Sequence, residues 1–185
     1  MAVSLQDPEN AKPIHFHLKL SILFSVLFIP NAIHLAFFPI WLESRGLGPV
    51  QISTLLTLPV FVRLLTTPVF AHLADRSPER TRILVLVSGL GLLSALLLLF
   101  PMGYWGLFLS VVAISAFWSS QVPIADSIAL SGVRRYGLDY SSVRIWGSVF
   151  FLAASVTAGF LVERTGAWVT IPLLILGFAA VFAAS

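Results

Sequence analysis

The sequence predicts an all-α, polytopic membrane protein of six transmembrane helices. Three observations carry that expectation. Hydrophobic residues make up 58% of the 185 positions and charged residues only 10%, with a mean hydropathy of +0.96, against roughly 25% charged in ordinary soluble domains. The few charges cluster, and the runs between them are as long as a bilayer span. The basic clusters fall mainly on alternate ends of those runs.

Each element follows from a run. A helix that crosses a bilayer needs about 20 apolar residues at 1.5 Å rise. Residues 1–15 form a polar tail with Asp7 and Glu9. Leu20 to Leu42 carries no charge and gives a first span over 18–42. That run is too long for the apolar core of a cleavable signal peptide. Gly46 to Ala74 carries one charge, Arg63, and gives a second span over 50–73, with Pro49 placed for a first helical turn. Ser77-Pro78-Glu79 offers a cap and an N1 proline for a third span over 83–101. Ile83 to Ala125 holds 43 residues without a charge, too many for one span. The run divides at Pro101-Met102-Gly103-Tyr104-Trp105-Gly106, a turn with interfacial aromatics, so a fourth span covers 105–131. Asp139 or Ser141 can cap a fifth span over 142–162, and a sixth covers 167–185. Together they make one bundle over residues 16–185.

These patterns exclude other classes. Disorder requires low hydrophobicity and high charge. Strands of a membrane barrel would alternate over about 10 residues, and no such alternation occurs. There is no cysteine, hence no disulfide framework or thiolate metal site. Neither His-Glu-x-x-His nor Gly-x-Ser-x-Gly occurs, and the scattered serines lack a paired base, so no enzyme activity, metal or cofactor is expected.

The basic pI of about 9.8 is explained by topology. Lys12, Lys19, Arg76, Arg80, Arg82, Arg134 and Arg135 fall on one side and only Arg45 and Arg164 on the other. This positive-inside pattern places the N-terminus in the cytoplasm, and an even number of spans returns the C-terminus there. Spread over separate short loops, these residues form no continuous basic face for nucleic acid. The last run ends at Ser185 without a polar flank. The expectation is either a bare last helix or a chain that belongs to something longer.

Ionisable groups within apolar runs carry the functional signal, because a charge at the bilayer centre costs at least about 2.5 kcal/mol. Asp126 and Arg144 lie on the fourth and fifth spans at the same side, and an ion pair between them is the economical arrangement. Arg63 competes for the same carboxylate. Asn31 and His34 add polarity to the first span, one turn apart and just after Pro30. Ser115, Ser119, Val122 and Asp126 make one stripe, and Arg144, Ser148, Ser155 and Gly159 another. Pro30 and Pro123 can each free a carbonyl from the helix ladder. Polar stripes on several helices point to a shared, water-accessible cavity. Each feature also has a plainer reading: serine and glycine stripes pack helices closely, His34 can bond a neighbouring carbonyl, and Asp126, Arg144 and Arg63 can be static structural charges.

The loop Ala71-His72-Leu73-Ala74-Asp75-Arg76-Ser77-Pro78-Glu79-Arg80-Thr81-Arg82 resembles the signature loop of the major facilitator superfamily, whose pattern is Gly-x-x-x-Asp-Arg-x-Gly-Arg followed by a basic residue. Asp75, Arg76 and Arg80 match it; Ala71 replaces the usual Gly, and Pro78-Glu79 the usual Gly-Arg. Phe38-Pro39-Ile40-Trp41-Leu42-Glu43-Ser44-Arg45 and Leu58-Pro59-Val60-Phe61-Val62-Arg63-Leu64 look like the branch of 3-phenylpropionate, nucleoside and lactose permease-like proton symporters. Pro123-Ile124-Ala125-Asp126-Ser127 with Val143-Arg144-Ile145-Trp146-Gly147-Ser148 resembles the lactose-permease arrangement, with Asp where that has Glu.

The resemblance runs from about Phe16 to the C-terminus and implies one six-helix half, the N-terminal one, of a major facilitator fold. It implies a secondary active transporter of a small organic solute, proton-coupled and working by alternating access. Asp126 and Arg144 would meet the substrate, with His34, Asn31 and Arg63 on the substrate and proton pathway. Asp75, Arg76 and Arg80 would form the cytoplasmic gating loop. Partners would be the solute, a proton, the lipid bilayer, and a second six-helix half or a second copy of the chain. The location would be a bacterial inner membrane. Two alternatives stand beside this reading: a truncated, non-transporting half-bundle, and a half-size transporter acting as a homodimer. Aromatic acids, nucleosides, sugars and drugs all fit a cavity with one acid, two arginines and a histidine.

Overall fold

A computed structural model of the chain describes residues 8–76, 80–137 and 139–185, with side chains from His15 onward except those of Leu58, Ala71, Ala74 and Asp75. All regular structure among these residues is helical: α1 (Pro8–Ser44), α2 (Pro49–Arg76), α3 (Arg80–Leu96), α4 (Tyr104–Trp118), α5 (Gln121–Tyr136), α6 (Tyr140–Thr165) and α7 (Thr170–Ala184). Short 3-10 turns at Leu97–Leu99 and Ala167–Val169 extend α3 and precede α7. Six segments are long and apolar enough to cross a membrane, with α4 and α5 together forming the fourth.

Local chemistry sets the ends. Pro49 opens α2, as its missing N–H costs nothing at a first turn. Gly103, extended at ψ 177°, precedes α4 after the Pro101 turn. The Asp139 carboxylate accepts from Ser141 N at 2.9 Å and so caps α6. Gly137 ends α5 at φ +65°, a left-handed conformation that favours glycine. The expected cap at Ser77-Pro78 lies outside the described residues.

Helix α1 is the hub. It packs along α6 and α7, while α3 packs on α4 and α7, and α2 on α4. One apolar core holds Phe38, Trp41, Leu42, Leu98, Leu107 and Phe178. A second holds Leu23, Phe24, Leu27, Leu84, Ile124 and Val143, toward the end that carries Arg80 and Arg134. Small residues permit the closest approaches. A Cβ on Gly147 would stand 2.7 Å from Phe28 Cδ2 and 3.3 Å from the Phe24 carbonyl oxygen, so α6 crosses α1 with no room for a side chain.

Proline behaves differently in two of the expected places. α1 runs unbroken through Pro30. The ring of Pro30 is buried against α7, where a Cβ on Gly177 would meet its Cγ at 3.1 Å, and that packing carries the helix through. The fourth span does break. The α4 ladder closes with Ser119 N donating to Ser115 O at 3.2 Å, and α5 opens with Ile124 N donating to Ser120 O at 3.2 Å. Between them lies a turn at Ser119–Ser120, and Pro123 has no N–H for the Ser119 carbonyl.

Candidate functional site

Asp126 lies on the second turn of α5, and Tyr140 and Arg144 lie one turn apart at the start of α6. The short connection from Gly137 to Asp139 brings those helix ends together. The Tyr140 hydroxyl donates to Asp126 Oδ1 at 2.8 Å and interacts with the Arg144 guanidinium as well. The expected direct ion pair between Asp126 and Arg144 is therefore not what the structure shows: the carboxylate takes its hydrogen bond from Tyr140, one turn from Arg144 on α6. Arg144 instead sits over aromatic faces, 4.4 Å from the Phe28 ring centroid and 5.4 Å from that of Phe24. Phe24 also meets Tyr140 edge-on at 6.3 Å. The result is a charged head held by ring quadrupoles beside a carboxylate with its own donor. Such a guanidinium retains N–H groups for an incoming anion or hydroxyl.

The other predicted residues separate into groups. His34 stacks on Phe38 at 4.7 Å and meets Trp118 edge-on at 5.1 Å. No hydrogen bond to its ring occurs among the described residues, so it is set in an aromatic box. Asn31 is half-buried one turn earlier. His34 lies six positions after Phe28, about 9 Å along α1 at 1.5 Å per residue. Arg63 is exposed on α2, without a partner among the described residues and without contact to Asp126.

The polar stripe on the fourth span is divided by the break. Ser119 turns toward α2, where Thr67 Oγ1 donates to it at 3.2 Å and Thr66 Oγ1 lies 3.5 Å away. On α6, Ser155 bonds back to Phe151 O at 2.9 Å, Gly159 packs under Phe37, and Ser148 is exposed.

Of the expected gating loop, the Asp75 side chain lies outside the described residues, and Arg76 is exposed at the end of α2. Arg80 sits in the first turn of α3 and reaches α5, donating to Ser131 Oγ at 3.0 Å and to Ser127 O at 3.3 Å. It thus ties α3 to the residue that follows Asp126.

Sequence reasoning missed Tyr140, Phe24, Phe28 and Trp118. Tyr140 had a signal, since it precedes Arg144 by four positions on one helix face. An apolar cleft of about 310 Å³ also opens between α1, α6 and α7, lined by Ile29, Ile33, Phe150, Ala154 and Leu176. None of the predicted residues lines it, and its chemistry offers nothing to a polar solute.

Residues 17–185 match the family model of the MFS_1 like family. The chain is 34% identical over 159 residues to the probable 3-phenylpropionic acid transporter of Escherichia coli (strain K12), a match covering 83% of this chain and 40% of that protein. It is 28% identical over 122 residues to the maltose permease of Geobacillus stearothermophilus, covering 66% of this chain and 31% of that one. The chain therefore spans less than half the length of these curated relatives. No solved structure matches it.

Proposed function

This chain belongs to the MFS_1 like family of major facilitator proteins, and from that premise we propose that it serves secondary active transport of a small organic solute, coupled to protons, by alternating access. It is an integral membrane protein whose six spans form one half of that fold. The other half is six further helices downstream or a second copy. The basic ends of α2, α3 and α5 face the cytoplasm under the positive-inside rule, which places the N-terminus there too, and the membrane is a bacterial inner membrane.

A single observation carries the site assignment. Arg144 stands within an apolar span on the faces of Phe28 and Phe24, and the Asp126 carboxylate already holds a tyrosine hydroxyl. An anionic or hydroxylated solute can take the guanidinium without first displacing a two-point ion pair. When Arg144 turns to the solute, Asp126 keeps Tyr140 but loses a nearby positive charge. An uncompensated charge within an apolar span is costly, and that cost supports assigning the coupled proton to this part of the bundle. Solute binding and proton uptake are linked in this way. His34, Asn31 and Arg63 extend the pathway along α1 and α2, and Asp75, Arg76 and Arg80 control the cytoplasmic side. The chemistry is displacement of a solute, not its conversion.

The test is uptake by the complete protein in proteoliposomes, read by internal pH and by labelled solute. An arylpropionic acid and maltose are the first solutes to try, given the relatives' names. Asp126→Asn and Arg144→Lys should each abolish accumulation against a gradient. Normal accumulation in both variants would end the assignment.

A further inference from the structure

We infer that the break between α4 and α5 is a resident water-binding site, built by Ser120, Gln121 and the Ser119 carbonyl. Gln121 is 0% exposed, and neither its Oε1 nor its Nε2 has a partner among the described residues. Ser120, also 0% exposed, has an unpartnered hydroxyl directly beside it in the chain. The proline at 123 leaves the Ser119 carbonyl without its ladder donor. Four polar atoms with unused hydrogen-bonding capacity thus lie within three consecutive residues. Ser21 and Thr170 carry the other unpartnered buried hydroxyls among the described residues, and each stands by itself.

The surroundings decide the ligand. α3 presents Gly91 to the glutamine, where a Cβ would lie 3.3 Å from Nε2 and 3.8 Å from the Phe178 ring of α7. Trp118 closes on Phe178 at 5.6 Å. Both polar residues are fully covered by this chain alone, so a protein segment on the outside of the six helices cannot reach them. The partner must be small. It must also accept from an amide N–H and donate to an amide oxygen. A metal cation satisfies the oxygens and repels the Nε2 donor, whereas water serves both, with about three bonds per buried molecule. Water inserted into a ladder is also a recognised cause of a sharp helix break. In lipid no bulk solvent can relieve an orphaned group, so the water is held permanently.

Radiolytic hydroxyl-radical labelling of the complete protein in nanodiscs tests this without requiring any transport. Side chains beside a bound water are oxidised even when buried. Phe178, 0% exposed, should be labelled in the unaltered protein. Gln121→Leu, or Gly91→Ser, whose hydroxyl replaces the water, should remove most of the Phe178 label. An unlabelled Phe178 in the unaltered protein overturns the site, as does persistence of the Phe178 label in both variants. A thermal midpoint raised in sodium chloride relative to choline chloride of equal ionic strength, and lost in Gln121→Leu, overturns it in favour of a cation.

Discussion

At the scale of single residues, Arg144 gains its position from two phenyl rings on a neighbouring helix and from a hydroxyl on its own. A guanidinium is flat and weakly hydrated, so it lies on a ring face more readily than a lysine ammonium does. Cation–π contact is worth about 0.5–2 kcal/mol according to desolvation, and each 1.4 kcal/mol is tenfold in affinity. Phe28→Leu keeps an apolar side chain but removes the nearer ring, at 4.4 Å. It should weaken solute affinity about tenfold on those terms, with the maximal rate changed less; an unchanged half-saturation concentration in uptake assays would show the ring to be mere packing. Tyr140→Phe removes one charge-assisted hydrogen bond, worth about 1.5–3 kcal/mol. Its carboxylate and guanidinium are then free to pair directly, so the variant should bind anionic solute more weakly than the parent. Equilibrium binding under a fixed pH checks this. Asp126, Arg144 and His34 were legible because polarity in an apolar run is conspicuous. Phe24 and Phe28 were not, because phenylalanines are ordinary within such a run and the register between α1 and α6 is written nowhere in the local pattern.

At the scale of helices, the six spans were legible from the spacing of charges, and the α6 cap at Asp139 from residue type. The behaviour of prolines was less so. Five prolines, at 13, 30, 39, 59 and 68, sit inside continuous helices, whereas the one at 123 follows a break. Trp118 to Gln121 is a polar run within an apolar span, but what separates it from the stretch at Pro30 is the partner each helix meets, glycine against Pro30 and polar side chains around Ser119. The contact of α1 with α6 shows the same dependence. Gly147 lies against Phe28 and the Phe24 carbonyl, the two residues that seat Arg144. A larger side chain there must separate the helices or expel the ring, and overpacking of this kind costs about 1–3 kcal/mol. Gly147→Val is therefore expected to lower the thermal midpoint and to impair solute binding together. If stability falls while binding is untouched, the helix contact and the arginine seat are independent.

At the scale of the whole bundle, burial is uneven. Half of the most apolar stretch of the first span is buried, against 12% for that of α2 and 11% for that of α6. Exposed residues on these helices face lipid, water or further protein, and hydropathy alone does not tell them apart. Leu176 on α7 is 65% exposed and apolar, with apolar neighbours in sequence, and lipid satisfies it fully. Ser148 on α6 is exposed one turn beyond Arg144, on the face that bears the charge. Under the proposed function that face lines the solute pathway and is wet, whereas lipid against it would have to accommodate a charged side chain. The absence of cysteine from this chain makes the distinction measurable. Ser148→Cys, in a complete protein with no other thiol, should react with a charged, membrane-impermeant thiol reagent and be slowed by transported solute. Leu176→Cys should stay unmodified despite its greater exposure, since thiolate does not form in hydrocarbon. An inert Ser148→Cys in a protein that still transports would mean that α6 turns Arg144 toward lipid, and the cavity would have to be sought on another face.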